Sequence, residues 1–174
     1  MAESTFKISA FGDEIAQDLD EQLTTLNALK IGGLDLRGAW GKNVLHMEDD
    51  DLFKVVEVCN AHNVTVACLG SPIGKSPIEA PIEEEIGSLR KIFHVGEIVG
   101  CRRIRMFSFY PPDPEGGRHP SSNEGYDAYV ATSVERLGKL AEMAEAEGFT
   151  MLLENEKGIV TDTLARCEAV MTGV

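Results

Sequence analysis

The sequence predicts an α/β fold in which parallel strands alternate with helices. Short apolar segments of strand length recur five times along the 174 residues, and each precedes a longer segment with apolar residues at helical spacing. Alternation of this kind produces parallel strands joined by right-handed crossover connections. A chain of this length is also sufficient for one domain with a substantial core. We therefore expect residues 1–174 to form a single α/β domain.

The predicted strands are short, and the first shows partial alternation of polar and apolar residues. Each ends where charged or other polar residues begin. The five segments are FKISAF (6–11), LDLRG (34–38), VTVACLGS (64–71), RIRMFSFY (103–110) and FTMLLE (149–154).

The predicted helices follow these strands in order. The first ends at two glycines, the second begins with aspartates that the helix dipole favours, and the fifth takes Thr161 or Asp162 as its cap. A segment rich in Pro, Gly and Ser (111–125) precedes the fourth helix and is predicted to be a loop or lid. The apolar positions that define the first four helices are Leu19, Leu23, Leu26 and Leu29; Leu52, Val55, Val56 and Cys59; Ile82, Ile86, Leu89 and Phe93; and Tyr126, Val130, Val134, Leu137 and Ala141.

The charge and composition disfavour several partners. The formal net charge is -13, from 29 acidic and 16 basic residues, and such a surface repels phosphate backbones and anionic lipid. No apolar run approaches the ~20 residues that span a bilayer, and the N-terminus has no basic-then-apolar signal pattern. The four scattered cysteines form no CxxC pair and are predicted to be reduced. We expect a cytoplasmic protein that binds neither nucleic acid nor membrane.

Two architectures fit this alternation, an open doubly wound sheet and a (β/α)8 barrel. The first strand-to-helix turn, AFGDEI, has no GxGxxG pattern, which weakens the case for a dinucleotide-binding sheet.

In either architecture the carboxyl ends of the strands meet at one rim. The basic residues predicted there would form a positive surface in an acidic protein, suited to a small anion or a polar sugar. They are Arg37, Lys42, Lys75, Arg105 and Lys157, and the carboxylates beside them are Asp13, Glu14, Glu154 and Glu156.

Five segments in register resemble the sugar phosphate isomerase/epimerase family, which has a xylose isomerase-like TIM barrel. They are GDEI, LDLRGAWGKNV, GSPIGKS, RIRMFSFY and LLENEKGI. Together they are fairly specific for the superfamily but not for one reaction. The resemblance implies a partial (β/α)8 barrel of about five βα units that lacks the last three. The first and fifth strands would then be apolar edges, and self-association is one way to cover them.

The resemblance also implies a metal site and a catalytic residue. In such enzymes a carboxylate that closes the fifth strand binds a divalent metal and takes part in proton transfer. Its match is Glu154, with Glu156 the weaker candidate. The remaining ligands come from the last three strands of the family, so we expect an incomplete site for Mn, Mg, Co or Zn and impaired activity.

The substrate-binding residues are predicted from their charge and position. Arg37, Lys75 and Arg105 are expected to hold a phosphate, carboxylate or hydroxyl group, and the carboxylates assigned to the substrate are Glu14 and Glu156. For Arg105 a structural ion pair with Glu154 or Glu14 is a close alternative. Asp13 and Glu14 are equally suited to capping the first helix. The four histidines form no ligand pair and are predicted to be structural or surface residues, and Trp40 either stacks on a sugar or covers the barrel mouth.

Three function classes remain open at this point. The first is a metal-dependent isomerase or epimerase acting on a sugar or sugar phosphate through an enediolate, and dehydratase or aldolase chemistry shares its proton abstraction. The second is endonuclease IV-like hydrolysis, which the acidic charge disfavours. The third is a non-catalytic partial barrel that binds a sugar or assembles with another chain.

Overall fold

The computed structural model describes residues 6–112 and 125–174. In this part of the chain, five strands form one sheet in the order β1-β2-β5-β6-β7, and β3 and β4 form a short antiparallel hairpin. The pairs β1–β2, β2–β5 and β5–β6 are parallel, which confirms the predicted α/β topology. The strands are β1 (Ser9–Phe11), β2 (Gly33–Leu36), β3 (Gly38–Ala39), β4 (Lys42–Asn43), β5 (Thr65–Leu69), β6 (Arg103–Met106) and β7 (Thr150–Leu153).

Residues 6–112 and 125–174 contain five α-helices, of which the first four lie between strands and the fifth follows β7. They are α1 (Leu19–Ala28), α2 (Asp49–His62), α3 (Ile82–Val99), α4 (Asp127–Ala146) and α5 (Leu164–Gly173), and the two short 3-10 helices are Val44–His46 and Val160–Asp162. None of the helices among the described residues combines the length and apolar character needed to cross a membrane. Most of the predicted loop at 111–125 lies outside the described residues.

The predicted cap of the fifth helix is wrong, and so is the alternative in which Asp13 and Glu14 cap the first. The helix α1 begins at Leu19, and Asp18 caps it by accepting hydrogen bonds from the amides of Asp20 and Glu21. Asp13 and Glu14 lie before this cap and do not serve as one. The cap of α5 is Thr163, whose side chain accepts from the backbone of Arg166, because residues 160–162 already form a 3-10 helix.

The fourth predicted strand is shorter than expected, ending at Met106 rather than at Tyr110. The residues that follow form backbone hydrogen bonds with the segment after β5 instead. The Phe107 amide donates to the Ile73 carbonyl at 2.8 Å, and the Phe109 amide donates to the Gly74 carbonyl at 2.8 Å. Further along, Phe109 has a φ of 72°, so the chain leaves the extended conformation there.

The described residues divide into two compact units, each with its own buried side chains. The first takes Met1–Ser71 and Lys91–Ile104, and the second takes Pro72–Arg90 and Arg105–Val174. Fully buried leucines from α1, β2 and α2 fill the first unit, and Phe107, Phe109 and the inner face of α4 fill the second. That the chain is one domain stays a prediction.

Candidate functional site

The first unit brings together three of the predicted site residues, which we call the Arg37 cluster: Asp13, Glu14 and Arg37. Arg37 directly follows β2, and the two carboxylates follow the neighbouring strand β1. The Arg37 Nε donates to Asp13 Oδ2 at 2.7 Å, and Nη2 donates to Glu14 Oε1 at 3.1 Å. The hydrogen bond to Asp13 raises the pKa of Arg37, and the guanidinium lies 4.9 Å from the centre of the Phe11 ring. The Arg37 guanidinium is therefore held by two carboxylates and by an aromatic ring.

A polar pocket of about 200 Å³ lies beside the Arg37 cluster. Its second cation, Lys42, pairs with Asp51 at 2.6 Å. Asp13 Oδ1 is buried and accepts no hydrogen bond from the described residues. The pocket is therefore lined by both charged and amide side chains, and its two cations are each paired with a carboxylate. It is lined by Asp13, Gln17, Arg37, Gly38, Gly41, Lys42 and Asn43.

The second unit brings together the other predicted site residues around one aromatic ring. We call this group the Phe107 cluster: Lys75, Arg105, Phe107, Glu154 and Glu156. Phe107 comes directly after β6 and is fully buried. The Lys75 ammonium lies 4.3 Å from its ring centre, and the Arg105 guanidinium lies 4.8 Å from it. Cation–π attraction to the ring thus holds two cations next to the end of a strand.

Each cation of the Phe107 cluster also faces a carboxylate, but at different distances. Lys75 Nζ lies 2.7 Å from Glu156 Oε2, whereas Arg105 Nη1 lies 3.6 Å from Glu154 Oε2. Charge-assisted hydrogen bonds are about 2.7–2.9 Å long, so the second pair is loose. The Glu154 side chain is 41% exposed and its backbone amide donates to the Met106 carbonyl at 2.9 Å. Glu154 is therefore fixed by its backbone while its carboxylate stays accessible.

The loop that carries Lys75 depends on a residue that sequence reasoning missed. The Gly74 amide donates to Glu85 Oε2 at 3.0 Å, and Glu85 is only 7% exposed. Gly74 has a φ of +80°, and a Cβ atom there would lie 2.0 Å from the Phe107 carbonyl oxygen. The signal was present in the IEEEI run of the third helix. Helical spacing places Glu85 on the same face as the apolar residues Ile82 and Leu89.

Other candidates have structural partners. His62 Nε2 lies 2.8 Å from Asp20, and His94 Nε2 lies 2.8 Å from Asp49. Trp40 donates to Asp18 at 3.2 Å, and the Lys54 ammonium covers one face of its ring. The described cysteines are all free, and burial raises the pKa of Cys59 to about 11, which keeps that thiol protonated. His119 lies outside the described residues.

The described residues do not by themselves fit a divalent metal. No group of three His, Cys, Asp or Glu side chains in residues 6–112 and 125–174 is placed to hold one. Glu156 forms a close ion pair with the Lys75 ammonium, so the segment LLENEKG supplies one carboxylate, that of Glu154, that is not closely paired. Mg²⁺ and similar ions require several oxygen ligands. The metal role of Glu154 stays a prediction.

A parallel sheet whose strands lead into charged side chains defines an α/β protein with its candidate site at the carboxyl ends of the strands. The family model for the xylose isomerase-like TIM barrel matches residues 26–174. The chain therefore belongs to this family, and its fold is a partial barrel. No protein of curated function matches the sequence.

Solved structures agree on the fold. The chain is similar to the probable 3-DHS dehydratase AsbF from Bacillus anthracis, with a TM-score of 0.73 and 15% identity, covering 97% of this chain and 59% of that one. A xylose isomerase-like TIM barrel protein from Mycobacterium smegmatis in complex with magnesium gives 0.71 and 14%, covering 97% and 61%. A D-tagatose 3-epimerase-like protein gives 0.68 and 12%, covering 97% and 61%. The chain thus spans about three fifths of the length of these neighbours.

Proposed function

We propose that this chain belongs to an enzyme that isomerises or epimerises a sugar or sugar phosphate by proton transfer next to a carbonyl group. The observation that carries the proposal is the accessible carboxylate of Glu154, which follows β7 and is only loosely paired with Arg105 at 3.6 Å. Membership of a family with an epimerase-like structural neighbour supports it. The substrate is proposed to be a small molecule, since the net charge of -13 disfavours nucleic acid.

In this proposal Glu154 moves the proton. Its carboxylate takes a proton from the carbon beside the substrate carbonyl. In isomerisation the protonated acid returns it to the former carbonyl carbon, while the hydroxyl proton moves from one oxygen to the other. In epimerisation the same carbon is reprotonated on its opposite face by a second acid, and Glu154 gives up its proton to solvent. Arg105, a residue that is only 8% exposed, lies beside that carboxylate.

The neighbouring cation and carboxylate are assigned to substrate binding. Lys75 and Glu156 form a pair at 2.7 Å whose side chains are each about one third exposed. A sugar hydroxyl can accept a hydrogen bond from the ammonium and donate one to the carboxylate. In the first unit, Arg37 and Glu14 stay predicted binding residues, and the polar pocket beside them supports that role.

A divalent metal (Mn, Mg, Co or Zn) is retained in the proposal because one structural neighbour is in complex with magnesium. Such an ion, when bound, polarises the carbonyl group of the substrate. Because the described residues do not supply its ligand set, the proton transfer above is assigned to residues of this chain alone. The complete site then needs ligands in addition to Glu154.

One observation favours a second candidate, dehydration of a hydroxylated acid or sugar. The similar structure from Bacillus anthracis is a probable dehydratase, and dehydration also starts with removal of a proton next to a carbonyl group. Glu154 would have the same role in both reactions. The two candidates differ in whether a hydroxyl group then leaves.

The experiment that tests the proposal is hydrogen exchange at carbon. A panel of aldoses, ketoses and their phosphates is incubated with the protein in D2O, with and without Mn²⁺, and proton NMR follows loss of the signal next to the carbonyl. Glu154→Gln is expected to slow exchange by at least ~100-fold, the usual contribution of an acid–base group. Glu142→Gln, which removes an exposed carboxylate of α4, is the matched control.

The possible results separate the candidates. Exchange that is lost in Glu154→Gln and kept in the control supports proton transfer by Glu154, and a new alkene signal would identify dehydration. Equal exchange in both variants would show that Glu154 is not the base. Calorimetry with Mn²⁺ on the same variants then tests whether Glu154 contributes to metal binding.

A further inference from the structure

Arg166 is a buried cation outside the Phe107 cluster. It lies in the first turn of α5 and is only 3% exposed. Its Nε donates to the Thr163 hydroxyl at 3.0 Å, and its guanidinium carbon lies 3.9 Å from the centre of the Tyr126 ring. These two contacts fix the plane of the guanidinium and leave its two terminal nitrogen atoms for other partners.

Those two nitrogen atoms have no partner among the described residues. Arg166 Nη1 and Nη2 are both buried and donate no hydrogen bond there, and Arg166 forms none of the ion pairs in that part of the chain. An isolated charge removed from water costs several kcal/mol, so buried charges are normally paired. The guanidinium therefore needs a negative partner that the described side chains do not provide.

The surroundings of Arg166 also favour an anion. Tyr126 is the residue before α4, and that helix begins without a side-chain hydrogen bond to its first amides. The amino ends of α4 and α5 each carry a partial positive charge, which adds to that of the guanidinium. Two carboxylates are close in sequence, but Asp127 is exposed and Asp162 accepts from the Gly158 amide at 3.0 Å. Neither forms an ion pair with Arg166.

We propose that Arg166 is the centre of a binding site for a phosphate group. The two terminal nitrogen atoms of a guanidinium match two oxygens of a phosphate in a bidentate geometry. The Tyr126 ring and Thr163 hold the guanidinium in one orientation, so little side-chain freedom is lost on binding. The site goes beyond the proton transfer proposed for Glu154, and binding here does not depend on that reaction.

The test is calorimetric titration with inorganic phosphate, with glucose 6-phosphate and with glucose, at constant ionic strength set by chloride. The wild-type protein is expected to bind at least one of the two phosphate-bearing probes but not glucose. Arg166→Met should lose this binding, and Arg166→Lys should weaken it, because lysine offers a point charge without the bidentate geometry. Lys139→Met removes an exposed cation from α4 and should bind like wild type.

Thermal unfolding in phosphate-free buffer checks that the variants fold. Arg166→Met is expected to be at least as stable as wild type there, since an unpaired buried charge has been removed. If it does not fold, Arg166→Lys decides the question. Binding of both phosphate-bearing probes indicates a site for phosphorylated molecules, and binding of inorganic phosphate alone indicates a free-anion site. Failure of both probes to bind, or equal binding by wild type and both Arg166 variants, would overturn the proposal.

Discussion

The Arg37 cluster and the Phe107 cluster use the same kinds of side chain in different ways. In the Arg37 cluster one guanidinium is shared by two carboxylates at 2.7 and 3.1 Å. In the Phe107 cluster two cations lie over one buried ring, and each forms an ion pair with a different carboxylate. One of those pairs is short at 2.7 Å, and the other is 3.6 Å long.

This difference separates carboxylates with a structural role from a carboxylate that is available for chemistry. The carboxylates around Arg37 satisfy its charge and join the loops after two adjacent strands. Around Phe107 the ring supplies part of the attraction for each cation, so neither carboxylate has to neutralise a cation alone. Glu154 can therefore lie near a positive charge without being bound tightly to it. That is the condition under which a carboxylate can exchange a proton with a substrate.

The largest predicted effect is on the backbone that holds the Phe107 cluster. Gly74→Ala forces a side chain into a φ of +80° and towards the Phe107 carbonyl. A left-handed conformation alone costs about 1–2 kcal/mol, and the steric conflict adds to it. We expect the free energy of unfolding in urea to fall by more than about 2 kcal/mol.

The matched control for Gly74→Ala is Gly138→Ala. Gly138 lies inside α4, and a Cβ atom there meets no atom within 4 Å. Alanine favours the helix by about 0.5–1 kcal/mol over glycine, so this variant should be more stable than wild type. If Gly74→Ala proves as stable as Gly138→Ala, the segment around Lys75 is not fixed against Phe107 as described.

Double-mutant cycles test the contrast between the two ion pairs directly. Arg37→Gln combined with Asp13→Asn should give a coupling energy of about 1 kcal/mol, at the upper end for partly exposed pairs. Arg105→Gln combined with Glu154→Gln should give less than about 0.5 kcal/mol, since the distance is longer and Glu154 is 41% exposed. The measurement is urea unfolding of each variant. Equal coupling energies in the two cycles would remove the distinction between the closely paired carboxylate of Asp13 and the loosely paired carboxylate of Glu154.

The sequence predicted how strands and helices follow one another along the chain, because periodicity and strand length are local properties. It also predicted which charged residues follow each strand, and the structure groups them within each unit. The ion pairs between these residues could not be predicted from the sequence, since the contact between Lys75 and Glu156 joins residues that are distant in it. The end of β6 was missed because an apolar run, RIRMFSFY, continues past the point where hydrogen bonds to Ile73 and Gly74 replace the strand. The contact of the Phe107 ring with two cations has no sequence signal of its own.

The smallest predicted effect concerns Lys42, the second cation of the pocket beside Arg37. Its ammonium lowers the pKa of Asp51, and the hydrogen bond from the Glu48 amide lowers it further. Because the pKa of Asp51 is lower in the folded protein than in the unfolded chain, its contribution to stability is present above the ordinary aspartate value and is lost as the pH falls through the folded value. Lys42→Gln should therefore raise the pKa of Asp51 part of the way back, while the Glu48 contact remains.

The measurement for Lys42→Gln is an NMR titration of the Asp51 carboxyl carbon, with Lys91→Gln, which removes an exposed cation of α3, as the control. A raised pKa of Asp51 in Lys42→Gln alone would show that Lys42, like Arg37, is neutralised by a carboxylate. Both cations beside that pocket would then be neutralised, and the contrast with the Phe107 cluster would extend from one residue to the whole pocket. An unchanged pKa in Lys42→Gln would instead leave Lys42 as a cation available to a ligand. The pocket beside Arg37 would then become a stronger candidate for substrate binding than its ion pairs indicate.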